Sequence, residues 1–590
     1  MSGGGLHMEW SRALFAALVE CGVRDVVLSP GSRSTPLAIA AAEEARLSVT
    51  TVVDERAAAF VALGQARLSG MPSVLVCTSG TAAAHYHPAV AEADAAAVPL
   101  LVITADRPLE LQHASASQTI DQIKLFGDHA RRYVELGVPD DAMVAHLPRV
   151  VAGAVLATLA PDAGPVHVNA RFRKPLEPVD APSRAASPAP RPAPKLFLPR
   201  NEPSEEAVRD LADRVRSATS VLVVAGPLSP PPGELIATRR EALRRSVAAF
   251  ARAGQAGVAA EITSGALGRG TDDASLGAVD LLLRSAEAPD LVIEIGRPPV
   301  AGSYQKFVGS LRGSRVLVGG RGLTDPFGGA DTLYGGDAAL VLARVAERLE
   351  RLGGGAHAAS RAAYRERLRE LGRRVDRAIA QELEGAELTE PALARDLTSR
   401  LPDGSVFFIG NSTPVRDACA YGSAGLRDIT VLHQRGAAGI DGLFAGAVGA
   451  RLAAPAAAPV AALIGDVSAQ HDIGSLAVLA RVSGPLVCVV ADNAGGRIFE
   501  ELPLASTPAG RTHLTERFLT PPVPGFLGHA AAAFGVDHAR VTTRGELAAA
   551  IERGLASKAP LVIEVAAPVE ASRASRARIL RAIAEGQGGA

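Results

Sequence analysis

The sequence predicts an α/β protein built from three doubly wound parallel-sheet domains. Short apolar runs recur along it, each ending in a polar turn and followed by a helical pattern, the order that feeds a parallel sheet. Its 590 residues exceed one ordinary core and suit about three domains. A Pro-rich stretch and a charged helical stretch supply the two boundaries. The expected domains are therefore 1–180, 200–354 and 389–590, with 181–199 as linker and 355–388 as a connecting helix.

In the first domain, Trp10 to Glu20 reads as an amphipathic helix and Asp25 to Leu28 as a strand running into Ser29-Pro30-Gly31-Ser32-Arg33-Ser34. Val49 to Val53 runs into Asp54-Glu55-Arg56, Ser73 to Cys77 into Thr78-Ser79-Gly80-Thr81, and Leu100 to Thr104 into Ala105-Asp106-Arg107-Pro108. Four strand-to-helix turns in series put their loops along one sheet edge, where open α/β sheets bind ligands.

The stretch APSRAASPAPRPAPK is expected to be extended. Middle-domain strands read at 221–226, 291–296 and 315–320, and residues 355–386 predict one long solvated helix. In the third domain Val406 to Ile409 ends in Gly410-Asn411-Ser412, and Thr430 to Leu432 leads to Arg435 and a loop through Ile440. Leu561 to Val565 closes that sheet, and the Arg- and Ala-rich tail beyond Ala571 reads as a surface helix with a frayed end.

Between these lies ALIGDVSAQHDIGSLAVLARVSGPLVCVVADNAGGRIF, residues 462–499. Its strand, helix and strand form a βαβ unit, with Asp472 as cap of the helix through Ile473, Leu476, Leu479 and Ala480. Asp466 and Asn493 then sit at the carboxyl ends of two parallel strands. A carboxylate, an amide oxygen and a backbone carbonyl beside Gly495 are hard donors suited to Mg²⁺, which completes its shell with water and a phosphate. Gly465, Ser468, Gly495 and Gly496 would let backbone amides approach that phosphate. An ordinary doubly wound sheet has similar turns, so the spacing alone leaves both readings open.

Composition narrows the function. A formal charge of −1 disfavours bulk attraction to nucleic acid or an anionic membrane. Cys21, Cys77, Cys419 and Cys488 form no CxxC pair and read as buried thiols in a reducing cytoplasm. The N-terminus lacks a signal-peptide pattern, and the most apolar run, Leu452 to Gly465, is too short and Pro-interrupted to span a membrane. A cytoplasmic, soluble protein is expected. His85 and His87 lack a third ligand nearby and read as structural.

Gly465-Asp466 followed by Asn493 resembles the metal and diphosphate motif of thiamine diphosphate enzymes. The flanking strings GDVSAQHDIGSLAVL and ADNAGGRIFEELP resemble, more narrowly, the menaquinone-pathway family of 2-succinyl-5-enolpyruvyl-6-hydroxy-3-cyclohexene-1-carboxylate synthases. SPGSRSTP, VVDERAAAFVALG, TADRP, QTIDQIKLFG, GNSTPVRD and QRGAAGIDG extend the likeness through both outer domains, in consistent order.

That resemblance implies the three-domain fold of thiamine diphosphate enzymes, with thiamine diphosphate and Mg²⁺ or Mn²⁺ as cofactors. Asp466, Asn493 and Gly495 would bind the metal. Gly465, Ser468, Ile498 and the supporting Ile440 would bind the cofactor with them. Glu55 would hold the N1′ of its aminopyrimidine, although a carboxylate at a helix N-terminus is also commonplace. The implied substrates are 2-oxoglutarate, which loses carbon dioxide, and isochorismate, which receives the remaining succinyl unit. Arg33, Arg107, Gln118, Ser412, Arg416 and Arg435 would handle these polyanions.

The family's middle-domain Lys aligns with Gly302 in IGRPPVAGSYQKF, so Lys306, one helical turn on, is expected to supply that charge, with Arg297 the weaker candidate. The resemblance further implies a homodimer or homotetramer whose sites are shared between subunits. Two other readings remain: another thiamine-dependent 2-oxoacid decarboxylase or acetolactate-type carboligase, and a non-catalytic nucleotide-binding protein. The chain carries no strand-following GxGxxG to favour the latter.

Overall fold

The computed structural model describes residues 3–178, 192–228, 231–268, 275–320, 322–385, 387–422 and 428–585. It contains three six-stranded sheets, one per domain. The first comprises β1 (Asp25–Leu28), β2 (Ser48–Thr51), β3 (Ser73–Cys77), β4 (Leu100–Asp106), β5 (Arg132–Glu135) and β6 (Pro165–Arg171), in the order β2-β1-β3-β4-β6-β5. The second comprises β7 (Val221–Ala225), β8 (Gly257–Ala260), β9 (Ser275–Leu276), β10 (Leu291–Ile295), β11 (Ser314–Val318) and β12 (Thr332–Tyr334), in the order β12-β11-β10-β7-β8-β9. The third comprises β13 (Val406–Ile409), β14 (Thr430–His433), β15 (Val460–Gly465), β16 (Leu486–Asp492), β17 (Asp537–Val541) and β18 (Leu561–Ala566), in the order β14-β13-β15-β16-β18-β17.

All these pairings are parallel, as apolar strands covered by helices on both faces require. Renumbered within each domain, the outer two sheets share the order 2-1-3-4-6-5. The middle sheet has the other doubly wound order, 3-2-1-4-5-6 read from its opposite edge.

One apolar core runs from the first domain into the third. At its centre the helix Glu55–Ser69 crosses the helix Leu443–Ala453. Glycine makes the crossing possible. A Cβ on Gly64 would lie 2.2 Å from the Gly446 carbonyl oxygen, and one on Gly449 would lie 2.0 Å from that of Val61.

Three expectations need correction. The connecting helix, Ala358–Glu382, is not solvated all round: Tyr364, Leu368, Leu371, Val375 and Ile379 form a buried stripe, and Arg361 beside it donates to the Ala218 and Gly254 carbonyls at 2.9 and 2.8 Å. The tail is not a loose surface helix. Val569–Glu585 buries Ser572, Ser575, Ile579 and Ile583 and packs against both the connecting helix and the helix Glu390–Arg400. Asp472 does not cap the helical segment it precedes, because its carboxylate accepts from Phe444 and Ala445 N–H at 2.8 and 3.1 Å and so caps the crossing helix instead.

The Pro-rich linker lies mainly outside the described residues; within them, Leu196 and Leu198 pack on the first-domain core. Among the described residues one helix, Asp141–Leu159, is long and apolar enough to cross a membrane, but it packs on the helix Gly3–Glu20 and on β4 and β6, so its apolarity serves the core. All four cysteines are buried and free. His87 stacks near Phe126 and His129, as a structural histidine would.

Candidate active site

At the carboxyl edge of the third sheet, β15 delivers Gly465 and then Asp466, the first residue of the helix Asp466–His471. Asp466 is 3 % exposed; one carboxylate oxygen accepts from Val467 N–H at 2.8 Å and the other from Gly495 N–H at 2.7 Å. Burial pushes its carboxyl up to about 7. Asn493 follows β16 and is also buried. Its Nδ2 donates to Glu390 Oε1 at 2.7 Å, while its Oδ1 is buried without a hydrogen-bond partner. Gly495 needs its glycine twice over: φ is +114°, and a Cβ would lie 2.1 Å from the Leu519 carbonyl oxygen. Ser468 is buried and Ile498 half-buried in the turn Arg497–Glu501 that follows.

These groups fit a divalent cation. The remaining lone pairs of Asp466, the unpartnered Asn493 oxygen and the carbonyls around Gly495 are hard donors. No cluster of three or more His, Cys, Asp or Glu able to hold a metal occurs among the described residues, so a cation here would draw on amide, backbone and phosphate oxygens.

Beside this edge, Ser412 adopts φ +70° at the N-cap of the helix Thr413–Tyr421, and its carbonyl accepts from Arg416 Nη1 at 2.9 Å. Buried Asn411 accepts from Arg435 Nη1 at 2.8 Å and donates to the Gln434 and Gly439 carbonyls at 2.9 and 2.6 Å. Arg435 Nε is buried and unpartnered, and burial together with neighbouring Arg416 lowers its guanidinium below the ordinary value. The loop carrying Arg435 and Ile440 is held from the first domain. Glu92, bridged to Arg67 at 2.5 Å, accepts from the Gly436, Ala437 and Ala438 N–H groups at 2.9, 2.6 and 3.2 Å. From the middle domain, Arg297 Nη1 donates to the Arg435 and Gly436 carbonyls at 3.0 and 2.8 Å.

The first sheet's edge is built around a buried polar network. Asp106, at the end of β4, pairs with Arg171 of β6 at 2.8 Å and accepts from Asn169 Nδ2 at 3.0 Å and from Arg107 N–H at 2.7 Å. Gln122 joins Asn169 Oδ1 and the Ala105 carbonyl to Gly80 N–H. Arg33 donates to the Phe172 carbonyl at 2.7 Å, yet its Nε and Arg107 Nη1 are both buried with no partner. Burial and the proximity of Arg107 lower the Arg33 guanidinium from its ordinary value. Gln118, at φ +57°, lies over Gly80, whose added Cβ would come within 3.0 Å of the Gln118 side chain. Glu55 begins the helix Glu55–Ser69, half-buried, with Asp54 as cap. Its neighbour Arg56 reaches the His471 carbonyl at 3.3 Å.

The expected residues thus gather in two sets, Arg33, Arg107 and Gln118 on the first edge, and Ser412, Arg416, Arg435, Asp466, Asn493 and Gly495 on the third. Among the described residues, no hydrogen bond or ion pair joins the first set to the third domain. Lys306 joins neither. It is exposed and lines a surface groove with Leu283, Arg284, Ser303 and Ser310, because the helix Gly302–Ser310 turns Tyr304 and Phe307 inward instead. The middle-domain cation that reaches the site is Arg297. Glu92 and Glu390 were not singled out from sequence, since each sits in a helical pattern where a carboxylate reads as a solvated face.

Comparison with known proteins fits this geometry. Residues 8–125 match the N-terminal TPP binding domain of thiamine pyrophosphate enzymes, and residues 426–565 match the C-terminal TPP binding domain. A 2-succinyl-5-enolpyruvyl-6-hydroxy-3-cyclohexene-1-carboxylate synthase of Sorangium cellulosum is 43 % identical over 98 % of this chain and 96 % of its own. Synthases of the same name from Myxococcus xanthus and Natronomonas pharaonis are 36 % and 33 % identical, each over 99 % of both chains.

Proposed function

The chain belongs to the 2-succinyl-5-enolpyruvyl-6-hydroxy-3-cyclohexene-1-carboxylate synthase family of thiamine diphosphate enzymes, and from that premise we propose how its own residues divide the work. The reaction is release of carbon dioxide from 2-oxoglutarate and addition of the remaining succinyl unit to isochorismate. Bound thiamine diphosphate supplies the electron sink next to the keto carbon. Asp466, Asn493 and a carbonyl beside Gly495 would hold Mg²⁺ or Mn²⁺, and the amides and hydroxyl of Gly465, Ser468 and Gly496 would bind the diphosphate. Ile440 and Ile498 would pack against the cofactor, and Glu55 would offer its carboxylate to the aminopyrimidine ring.

The substrate class rests on one observation above the others, the two buried guanidinium N–H groups left unpaired at Arg33 and Arg107. Buried donors without partners are costly, and a carboxylate satisfies them with charge-assisted hydrogen bonds. Arg416, Arg435 and Ser412 offer the same chemistry from the third edge, and Gln118 adds an uncharged contact.

We take the two edges to complete each other across subunits of a homodimer or homotetramer. That no hydrogen bond or ion pair among the described residues joins Arg33, Arg107 or Gln118 to the third domain of the same chain supports this, as do exposed apolar side chains on both edges, Val53 at 74 % and Ile123 at 51 % on one and Leu502 at 48 % on the other. Co-expressing Glu55→Gln with Asp466→Ala should restore activity if sites are shared, because one site in each mixed dimer is intact. Failure to restore any activity would place both residues in one chain's site.

The reaction itself is tested by incubating the enzyme, thiamine diphosphate and Mg²⁺ with isochorismate and either 2-oxoglutarate or pyruvate. The succinylated product should form only with 2-oxoglutarate. Equal use of pyruvate would point to an acetolactate-type carboligase.

A further inference from the structure

An amide can present either its oxygen or its nitrogen, and at Asn493 the choice decides whether a cation can bind. Glu390 makes that choice. It is the first residue of the helix Glu390–Arg400, 4 % exposed, with Thr389 capping the helix at 3.3 Å. Its Oε1 accepts from Asn493 Nδ2 at 2.7 Å, and an ionised carboxylate has no hydrogen to give, so Nδ2 must face it and Oδ1 must face away.

Glu390 is itself clamped by the C-terminal helix Val569–Glu585. Ser572 Oγ accepts from the Glu390 N–H at 3.0 Å, and Arg576 Nη2 donates to Glu390 Oε2 at 2.9 Å. Arg576 also holds Asp417 at 2.7 Å, so its guanidinium compensates two buried carboxylates at once. The Arg576 guanidinium thus takes up Glu390 Oε2 and leaves Oε1 to the amide.

We propose that Glu390 and Arg576 are positioning residues for the metal, acting through Asn493 to fix which amide atom meets the cation. This rests on the reading of Asp466 and Asn493 as cation ligands. The chain's last described helix, 83 residues beyond Asn493 at Arg576 by sequence number, thereby becomes part of the cofactor site. Groups that orient metal ligands in this way typically change affinity about 10–100-fold when altered.

The test reads Mn²⁺ binding by electron paramagnetic resonance in the presence of thiamine diphosphate, alongside the melting temperature of the cofactor-free chain. Glu390→Gln can donate as well as accept, so the amide is free to flip, and Mn²⁺ should bind about 10–100-fold more weakly. In an Asn493→Asp background the expectation reverses. There two carboxylates face each other, and Glu390→Gln should tighten Mn²⁺ binding by donating to one oxygen and leaving the other outward.

That change of sign distinguishes orientation from a latch that merely ties down the tail, which would weaken binding in both backgrounds. Unchanged Mn²⁺ affinity in Glu390→Gln, or weakening in both backgrounds, would overturn the proposal. Should the single variant not fold, Asn493→Asp with and without Glu390→Gln decides alone, and no tightening there overturns it. A wild-type chain that bound no Mn²⁺ with thiamine diphosphate would instead sink the cofactor reading.

Discussion

The fourth strand of each outer sheet ends in an aspartate followed by a polar residue, and the two turns are put to opposite uses. In the first sheet Asp106 is consumed by Arg171, Asn169 and the Arg107 N–H, and the donor left over is Arg107 Nη1. In the third sheet Asn493 spends its donor on Glu390, and what is left over is an acceptor, Asn493 Oδ1. The third strands repeat the contrast: β3 ends in the neutral turn Thr78-Ser79-Gly80, β15 in Gly465-Asp466. Identical strand order therefore sets only where the loops lie. Which polar atom the neighbours leave unpaired sets whether that one turn attracts an anion or a cation; elsewhere on the third edge the unpaired Arg435 Nε is again a donor.

The sharpest break in that comparison is Asp466→Ala. It removes the charged oxygen from the cation-accepting edge, so Mg²⁺-dependent binding of thiamine diphosphate should fall by more than the roughly 10–100-fold of an outer-shell change. The melting temperature of the cofactor-free chain should be preserved or rise, since a buried carboxylate is lost. Calorimetric titration showing wild-type cofactor affinity would remove Asp466 from the metal site.

On the anion-accepting edge the expected effect is smaller. Arg33→Met or Arg107→Met removes a charge-assisted contact of about 1.5–3 kcal/mol, roughly tenfold to a hundredfold in affinity. KM for one anionic substrate should rise by that factor while thiamine diphosphate affinity stays fixed. A loss of cofactor binding instead would show that this edge serves the diphosphate.

The third edge was far more legible in sequence than the first. Gly465 ends, and Asp466, Asn493 and Gly495 follow, two strands of largely apolar residues whose ends are easy to find. The first edge depends on β6, PVHVNAR, whose buried His167, Asn169 and Arg171 disguise a central strand as a polar segment. His167 and Asn169 both meet the Thr104 hydroxyl, and Asn169 and Arg171 both meet Asp106, which is how a strand so polar can be buried. The edge strands β5 and β17, RYVE and DHARV, escape notice for a simpler reason, since they are partly solvated and carry little apolar signal. Glu390 and Arg576 were beyond sequence reasoning because their meaning comes from a contact across 186 positions.

Within electrostatic reach of Arg435 the middle domain buries a carboxyl, Glu261, and this allows a pH test of intermediate size. Glu261 is fully buried, accepts from Ala301 N–H at 3.0 Å and Thr263 Oγ1 at 3.2 Å, and is pushed up to about 7 by burial against the opposing pull of its hydrogen bonds and Arg435. A carboxyl raised on folding favours the folded state while protonated. That advantage is lost as pH climbs from its ordinary value of 4.5 toward 7. Glu261→Gln keeps an acceptor for Ala301 and cannot ionise. Its melting temperature relative to wild type should therefore rise between pH 5 and pH 7 and level off above, in differential scanning fluorimetry. A pH-independent difference would mean that Glu261 keeps its charge throughout.

The smallest expected effect concerns Lys306, and it asks whether the middle domain offers the substrates a charge at all. Sequence spacing puts Lys306 one turn beyond the glycine that replaces the family's lysine, and on a free helix that would suffice. The packing of Gly302–Ser310 decides otherwise: Ser303, Tyr304 and Phe307 are buried, which leaves Gln305 and Lys306 facing outward. The groove that Lys306 lines includes Arg284, whose guanidinium is paired with Asp280 at 2.9 Å. Arg297, by contrast, is already committed to the Arg435 and Gly436 carbonyls and so braces the site rather than charging it. Lys306→Met should leave isochorismate KM within about twofold of wild type, as expected for an exposed charge with no buried partner. Arg297→Met should raise it by loosening the Arg435 loop. A tenfold rise in Lys306→Met with Arg297→Met silent would reverse the assignment, and would mean that the substrate reaches out over the groove rather than lying between the two edges.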